Sequence, residues 1–163
     1  NETYERIRAL DAVLRFDHVQ LHGEEDAPAC ARFGTRVVKA LRVATRADLD
    51  AVRSFVAPVA SGGGGARALL FDARAPGGAR GGTGHTFDWT LLDAARAECA
   101  AHAGDADDAV KLILAGGLTP ANVAAAVRVA RPYGVDTASG VERAPGVKDA
   151  ALIEAFVRAA KDA

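Results

Sequence analysis

The chain has 163 residues, half of them apolar and a quarter charged, with a formal net charge of −1. That length supports one domain with a core of its own, and the near-neutral balance removes the electrostatic case for a nucleic acid or an anionic membrane as partner. No apolar run approaches the ~20 residues of a membrane span, residues 1–14 are charged throughout rather than signal-like, and two cysteines make no disulfide framework, so the expected setting is the cytoplasm.

Tyr4, Ile7, Leu10, Val13 and Leu14 recur at helical spacing and predict a first helix over residues 2–14. Residues 17–21 read as a short strand that runs into His22-Gly23. Asp26 is placed to cap a helix with Pro28 in its first turn, where a missing N–H costs nothing. That helix runs to Phe33 and Gly34 stops it. Residues 36–43 carry enough β-branched side chains to predict a second strand. Residues 45–56 are amphipathic, four glycines over 62–65 make a connector, and residues 66–72 are a third strand ending on Asp72. After a glycine-rich stretch over 73–86, Asp88 is placed to cap a helix over 89–101.

Residues 110–115 form an unbroken apolar strand. Gly116-Gly117 turn the chain, Thr119 caps the next helix and Pro120 opens it. A last strand, small in side chain, covers 135–138. A loop over 139–146 then leads to a final helix over 148–161.

Strands that alternate with single helices pair in parallel through right-handed crossovers, so the fold class is α/β. The strand ends separate a barrel from an open sheet. Gln20, His22, Arg42, Asp72, Gly116-Gly117, Asp136 and Ser139 spread small, polar or ionisable groups over successive carboxyl ends. A (β/α)8 TIM barrel builds its active site in that way. A doubly wound sheet gathers such groups at one switch point, and the chain has neither a GxGxxG nor a P-loop pattern.

Five blocks carry a resemblance: VQLHGEE (residues 19–25), VVKALRV (37–43), FDA…GGTGHTFDW (71–89), LAGGLTPANV (114–123) and GVDTASGVERAPGVKD (134–149). In order and spacing they resemble the phosphoribosylanthranilate isomerase family of tryptophan biosynthesis. The resemblance implies a small (β/α)8 barrel that converts N-(5-phosphoribosyl)anthranilate to 1-(2-carboxyphenylamino)-1-deoxyribulose 5-phosphate by an Amadori rearrangement. It implies no cofactor, no metal and a phosphosugar substrate; a monomer or homodimer is expected. Residues 1–163 correspond to one barrel domain with about the last five βα units, the first three lying ahead of Asn1 in the family's order. The family's general base, a cysteine ending the first strand, has no match here, so the 163-residue chain alone is expected to be inactive. A catalytically silent partial barrel that needs its N-terminal segment or a partner, or another phosphosugar-binding barrel enzyme, is the alternative.

Such a rearrangement needs an acid to open the furanose ring and a base to take the C2 proton. Asp72, at its strand end, is the expected general acid. Residues 73–86, with Gly81, Gly82, Thr83 and Gly84, would form a lid that keeps water from the Schiff base. Gly116, Gly117, Ser139 and Gly140 offer backbone amides to a phosphate at two successive loops. Gln20 and His22 lie two apart on one strand and share a face, and the resemblance implies that they contact substrate. Asp136 is expected to orient the anthranilate amine, and Lys39 to pair with an internal carboxylate. Cys30 and Cys99 fall within helices and read as small core hydrophobes. Metal binding is not expected: His18 and His22 would stand ~13 Å apart on a strand, and His85 and His102 lack partners at ligand spacing.

Overall fold

The computed structural model describes residues 2–60, 66–73, 88–101 and 110–163. Helix α1 (Tyr4–Leu14) is capped by Thr3, whose hydroxyl accepts from the Arg6 amide at 3.2 Å. It ends at Arg15, which takes a left-handed φ of 52°. Then come β1 (Val19–Leu21), α2 (Ala27–Ala31), β2 (Val37–Val43), α3 (Asp50–Ala60), β3 (Ala66–Ala73) and α4 (Leu91–Ala101). The chain closes with β4 (Lys111–Leu114), α5 (Val123–Ala130), β5 (Gly134–Val135), the pair β6 (Glu142–Ala144) and β7 (Val147–Lys148), and α6 (Ala150–Lys161).

Strands β1 to β5 form one parallel sheet in the order β1-β2-β3-β4-β5. Space follows sequence without reversal, so these strands have no topological switch point. Right-handed crossovers that always step the same way put every connecting helix on the same face. The burial agrees. Val37, Leu41, Val43, Leu69, Phe71, Leu112 and Leu114 pack with helix residues such as Val52, Phe55, Leu92 and Val123 into one large core. The opposite face holds a small cluster of Ala40, Leu70 and Ala115, edged by Val38 and Ile113. The alternation of β-strand side chains therefore sorts each strand into a helix-facing set and an inner set.

Element limits differ from the sequence reading in ways that have local causes. The helix expected at Thr119-Pro120 starts at Val123. Asn122 holds the preceding turn: its side-chain carbonyl accepts from the Thr119 amide at 2.8 Å and its amide nitrogen donates to the Gly117 carbonyl at 3.0 Å. Residues 46–49 are a 3₁₀ turn ahead of α3, fixed by Asp48, which accepts from both the Thr45 amide and hydroxyl. The last strand is only Gly134–Val135, although the Asp136 amide still donates to the Leu114 carbonyl at 2.9 Å. The expected loop over 139–146 contains a 3₁₀ turn and most of the β6–β7 hairpin, turned at Gly146 with φ 77°. Asp26 caps α2 and Asp149 caps α6.

Candidate active site

The inner face meets solvent at the carboxyl ends of the strands, and the candidate residues collect there. Gln20 and Val38 are register partners, as are Arg42 and Asp72. Alternation then puts Gln20, His22, Arg42 and Asp72 on the inner face together with Ala40 and Leu70. Asp136 follows Val135, which pairs with the core residue Leu114, so it too falls on the inner side. Gln20, His22, Arg42 and Asp136 are exposed, and Asp72 is partly buried at the end of β3.

His22 and Asp72 meet. Nε2 of the imidazole is 3.3 Å from the Asp72 Oδ2. A groove of about 430 Å³ runs along the outer edge of β1, lined by Ile7, Leu10, Phe16, His18, Gln20 and His22 among others.

Asp72 also touches the first of the two glycine loops. Gly116 adopts φ 83° and Gly117 φ 64°, a region that strains any residue with a Cβ. A Cβ on Gly116 would stand 2.8 Å from the Asp72 Oδ1 and would overlap the backbone nitrogen of Ala73. Among the described residues, the Gly116 and Gly117 amides donate to no acceptor. The second loop lies against the first. A Cβ on Gly140 would overlap the Leu118 carbonyl, and the Thr137 hydroxyl donates to that same carbonyl at 2.7 Å. Lys148 braces the second loop from outside: its ammonium donates to the Ala138 carbonyl at 2.7 Å and pairs with Glu142 at 2.8 Å. The structure thus brings Gln20, His22, Asp72, Asp136, Gly116, Gly117, Ser139 and Gly140 to one end of the sheet.

Three further residues shape this end and were not picked from sequence as working there. Asn122 and Thr137 tie the two loops down, and Lys148 reaches them from β7. The Asn122 position, three residues after Thr119, is the one usable sequence signal. Thr137 and Lys148 act through loop carbonyls, which leave no mark on spacing.

Lys39 is almost completely buried, at 2% exposure, and pairs with Glu25 at 2.9 Å, as expected of an ion-pair partner. Its register partners Leu21 and Leu69 place it on the helix-facing side, away from the mouth. Cys30 and Cys99 are buried in the helix-side core, and burial raises both thiols, Cys99 to about 11. Gly81, Gly82, Thr83 and Gly84, expected to form a lid, lie outside the described residues, as do His85 and His102. Among the described residues no three His, Cys, Asp or Glu side chains gather as metal ligands, and no helix is long and apolar enough to cross a membrane.

Comparison with known proteins adds independent findings. The family model described as N-(5'phosphoribosyl)anthranilate (PRA) isomerase matches residues 1–159. The chain is 50% identical over 161 residues to N-(5'-phosphoribosyl)anthranilate isomerase of Myxococcus xanthus, covering 99% of this chain and 68% of that protein. It superposes on the crystal structure of phosphoribosyl anthranilate isomerase from Thermotoga maritima with a TM-score of 0.78 at 34% identity, covering 100% of this chain and 70% of that one. A second solved isomerase, in complex with reduced 1-(o-carboxyphenylamino)-1-deoxyribulose 5-phosphate, matches with a TM-score of 0.73 at 31% identity, covering 100% of this chain and 69% of that one. The five sequence blocks, the parallel sheet and these matches agree: the chain belongs to the N-(5'-phosphoribosyl)anthranilate isomerase family.

Proposed function

We propose that the protein isomerises N-(5'-phosphoribosyl)anthranilate to 1-(2-carboxyphenylamino)-1-deoxyribulose 5-phosphate, with Asp72 as general acid. The observation that carries this reading is the contact of one carboxylate with both halves of the mouth. Asp72 lies 3.3 Å from His22 on one side, and its other oxygen lies 2.8 Å from where a Gly116 Cβ would be on the other. A phosphate held by the amides of Gly116, Gly117, Ser139 and Gly140 leaves the sugar ring over Asp72. The acid gives its proton to the furanose ring oxygen, the C1–O bond breaks, and the anilino nitrogen supplies the electron pair of the Schiff base. Loss of the C2 proton then returns that pair to nitrogen and leaves an enolamine, which becomes the ketone. Gln20 and His22 contact the substrate from β1, and Asp136 orients the anthranilate amine.

The base that takes the C2 proton is assigned to no residue of this sequence, since Cys30 and Cys99 are buried on the other side of the sheet. In the proposed setting the domain, residues 1–163, supplies the last five βα units of a (β/α)8 barrel, in line with its unreversed strand order. The proposed enzyme is cytoplasmic, a monomer or homodimer, and needs no cofactor. The family match favours this reading over another phosphosugar enzyme or a silent partial barrel.

The test is the decay of anthranilate-adduct fluorescence when the full-length protein meets N-(5'-phosphoribosyl)anthranilate. Decay with formation of the ketone product is expected. A properly folded full-length protein that leaves the fluorescence unchanged overturns the proposal.

A further inference from the structure

Lys39 poses a question that stability does not answer. Taking an ammonium out of water is costly even when it is paired, and an apolar side chain of similar volume is often as good or better. Yet Lys39 stands in the helix-side core at 2% exposure, with the Phe55 ring centroid 5.9 Å from its nitrogen. Its contacts show what the charge adds. Nζ donates to the Gly23 carbonyl at 2.8 Å and to Glu25 Oε2 at 2.9 Å. The same Glu25 oxygen accepts from the Gly23 amide at 2.9 Å. Both backbone polar groups of Gly23 are therefore held by one ion pair, its lysine buried and its glutamate partly buried.

Gly23 directly follows His22. The Gly23 N–H belongs to the His22–Gly23 peptide, so its fixed direction sets the backbone of His22 and the line along which the imidazole leaves the chain. That support matters at this position. Strand β1 has three residues and, within the described sheet, a neighbour on one side only. His22 lies just past its end, where the ladder no longer holds the chain. Burial opposes the charge of Glu25, but the hydrogen bond from Lys39, the amides of Glu25 and Gly23 and the charge of Lys39 together outweigh it and lower its pKa. Glu25 therefore keeps its charge at neutral pH.

We propose that Lys39 and Glu25 are positioning residues for His22, clamping the peptide after it from the helix-facing side of the sheet so that the imidazole meets Asp72 across the inner face. The proposal rests on the reading of His22 as a working residue of the mouth. It adds a pair that touches neither substrate nor reacting atoms and acts only through the backbone.

The experiment places Lys39→Met and Glu25→Gln in the full-length protein, each with His22 intact and in a His22→Ala background. With His22 present, kcat is expected to fall by up to about 100-fold, as for a misplaced catalytic group, with KM changed by less than about threefold. In the His22→Ala background the same substitution should cost less than about twofold more, because the group it positions is gone. Equal losses in both backgrounds overturn the proposal. A second reading needs no turnover: the ligand-free imidazole NMR signals of His22 should shift or broaden in both variants while those of His18 stay put. Unchanged His22 signals overturn the clamp even if the enzyme is active. Altered His22 signals in a protein inert toward N-(5'-phosphoribosyl)anthranilate would uphold the clamp and sink the assigned activity instead. Glu25→Gln keeps the side-chain volume and carries both tests if Lys39→Met does not fold.

Discussion

His22 on the chain leaving β1 and Asp72 on β3 are 3.3 Å apart although a whole strand, β2, runs between their strands. The two side chains reach each other over the inner face, where β2 presents Ala40, a side chain small enough to leave room above it. Neither group can be placed by its own strand alone. A substrate ring bound as proposed would meet an imidazole and a carboxyl at once.

Asp72→Asn keeps the size and removes the transferable proton. In the full-length enzyme kcat is expected to fall by about 10²–10⁴-fold, the range for a lost general acid, while binding of a reduced product analogue changes little. Steady-state fluorescence kinetics with a parallel calorimetric titration separate the two. Unchanged turnover would remove Asp72 from the mechanism.

Gly116→Ala adds one methyl group where φ is 83°. The strain of a left-handed backbone is about 1–2 kcal/mol, and the new Cβ also presses on Ala73 and the Asp72 carboxylate. Lower thermal stability and a lower kcat are expected together. A variant that melts like the parent protein and turns over normally would contradict the close approach.

Gly140→Ala acts on the other loop. Its Cβ would overlap the Leu118 carbonyl, so the two glycine loops must part. The expected kinetic signature is a raised KM, since the amides proposed to hold the phosphate are the group displaced. Competition by inorganic phosphate should weaken in step. Unaltered phosphate inhibition would place the anion elsewhere.

Asp11 gives the pH prediction. Its two oxygens accept from Arg36 Nη1 at 3.1 Å and Nη2 at 2.8 Å, a paired geometry that ties α1 to the start of β2. The Arg36 hydrogen bonds, against the opposing effect of burial, hold the carboxyl below its ordinary 3.8. A pKa lowered on folding stabilises the protein above the unfolded value and loses that contribution as pH falls through the folded one. Asp11→Asn should therefore lower Tm at pH 7, and the gap from the parent should close as pH drops below about 3.8. A Tm difference that stays constant from pH 7 down to acid would refute the pairing.

The thiols are expected to be slow. Cys99 is 7% exposed with its pKa raised to about 11 by burial, and Cys30 is 1% exposed. Only thiolate reacts, so a colorimetric disulfide reagent at neutral pH should label the folded protein far more slowly than the unfolded one. Equal rates would mean that these helices open freely.

The strands could be read in the sequence because β-branched and apolar runs such as residues 110–115 have a period that survives any packing. Asp72, His22 and the glycine pair could be read because each sits at a strand end, where a polar residue or glycine interrupts an apolar pattern. Family resemblance added the chemistry. Other features depend on distant partners. The delayed start of α5 comes from Asn122 reaching back to Thr119 and Gly117, and the hairpin after β5 from pairing between Glu142 and Lys148. The sequence predicts an ion-paired lysine at Lys39, but its face follows from register with Leu21 and Leu69, which one strand's sequence does not contain.

The crowding at Gly116 has a consequence for altering what this enzyme accepts. Ala73, Asp72 and the loop that follows β4 approach so closely that no Cβ fits at Gly116, which sets the proposed proton donor directly against the proposed anion seat. A redesign that leaves this contact untouched is expected to keep the phosphate end of the proposed substrate and its ring-opening step. New selectivity is then expected from exchanges at Gln20, Arg42 and Asp136, whose side chains are exposed.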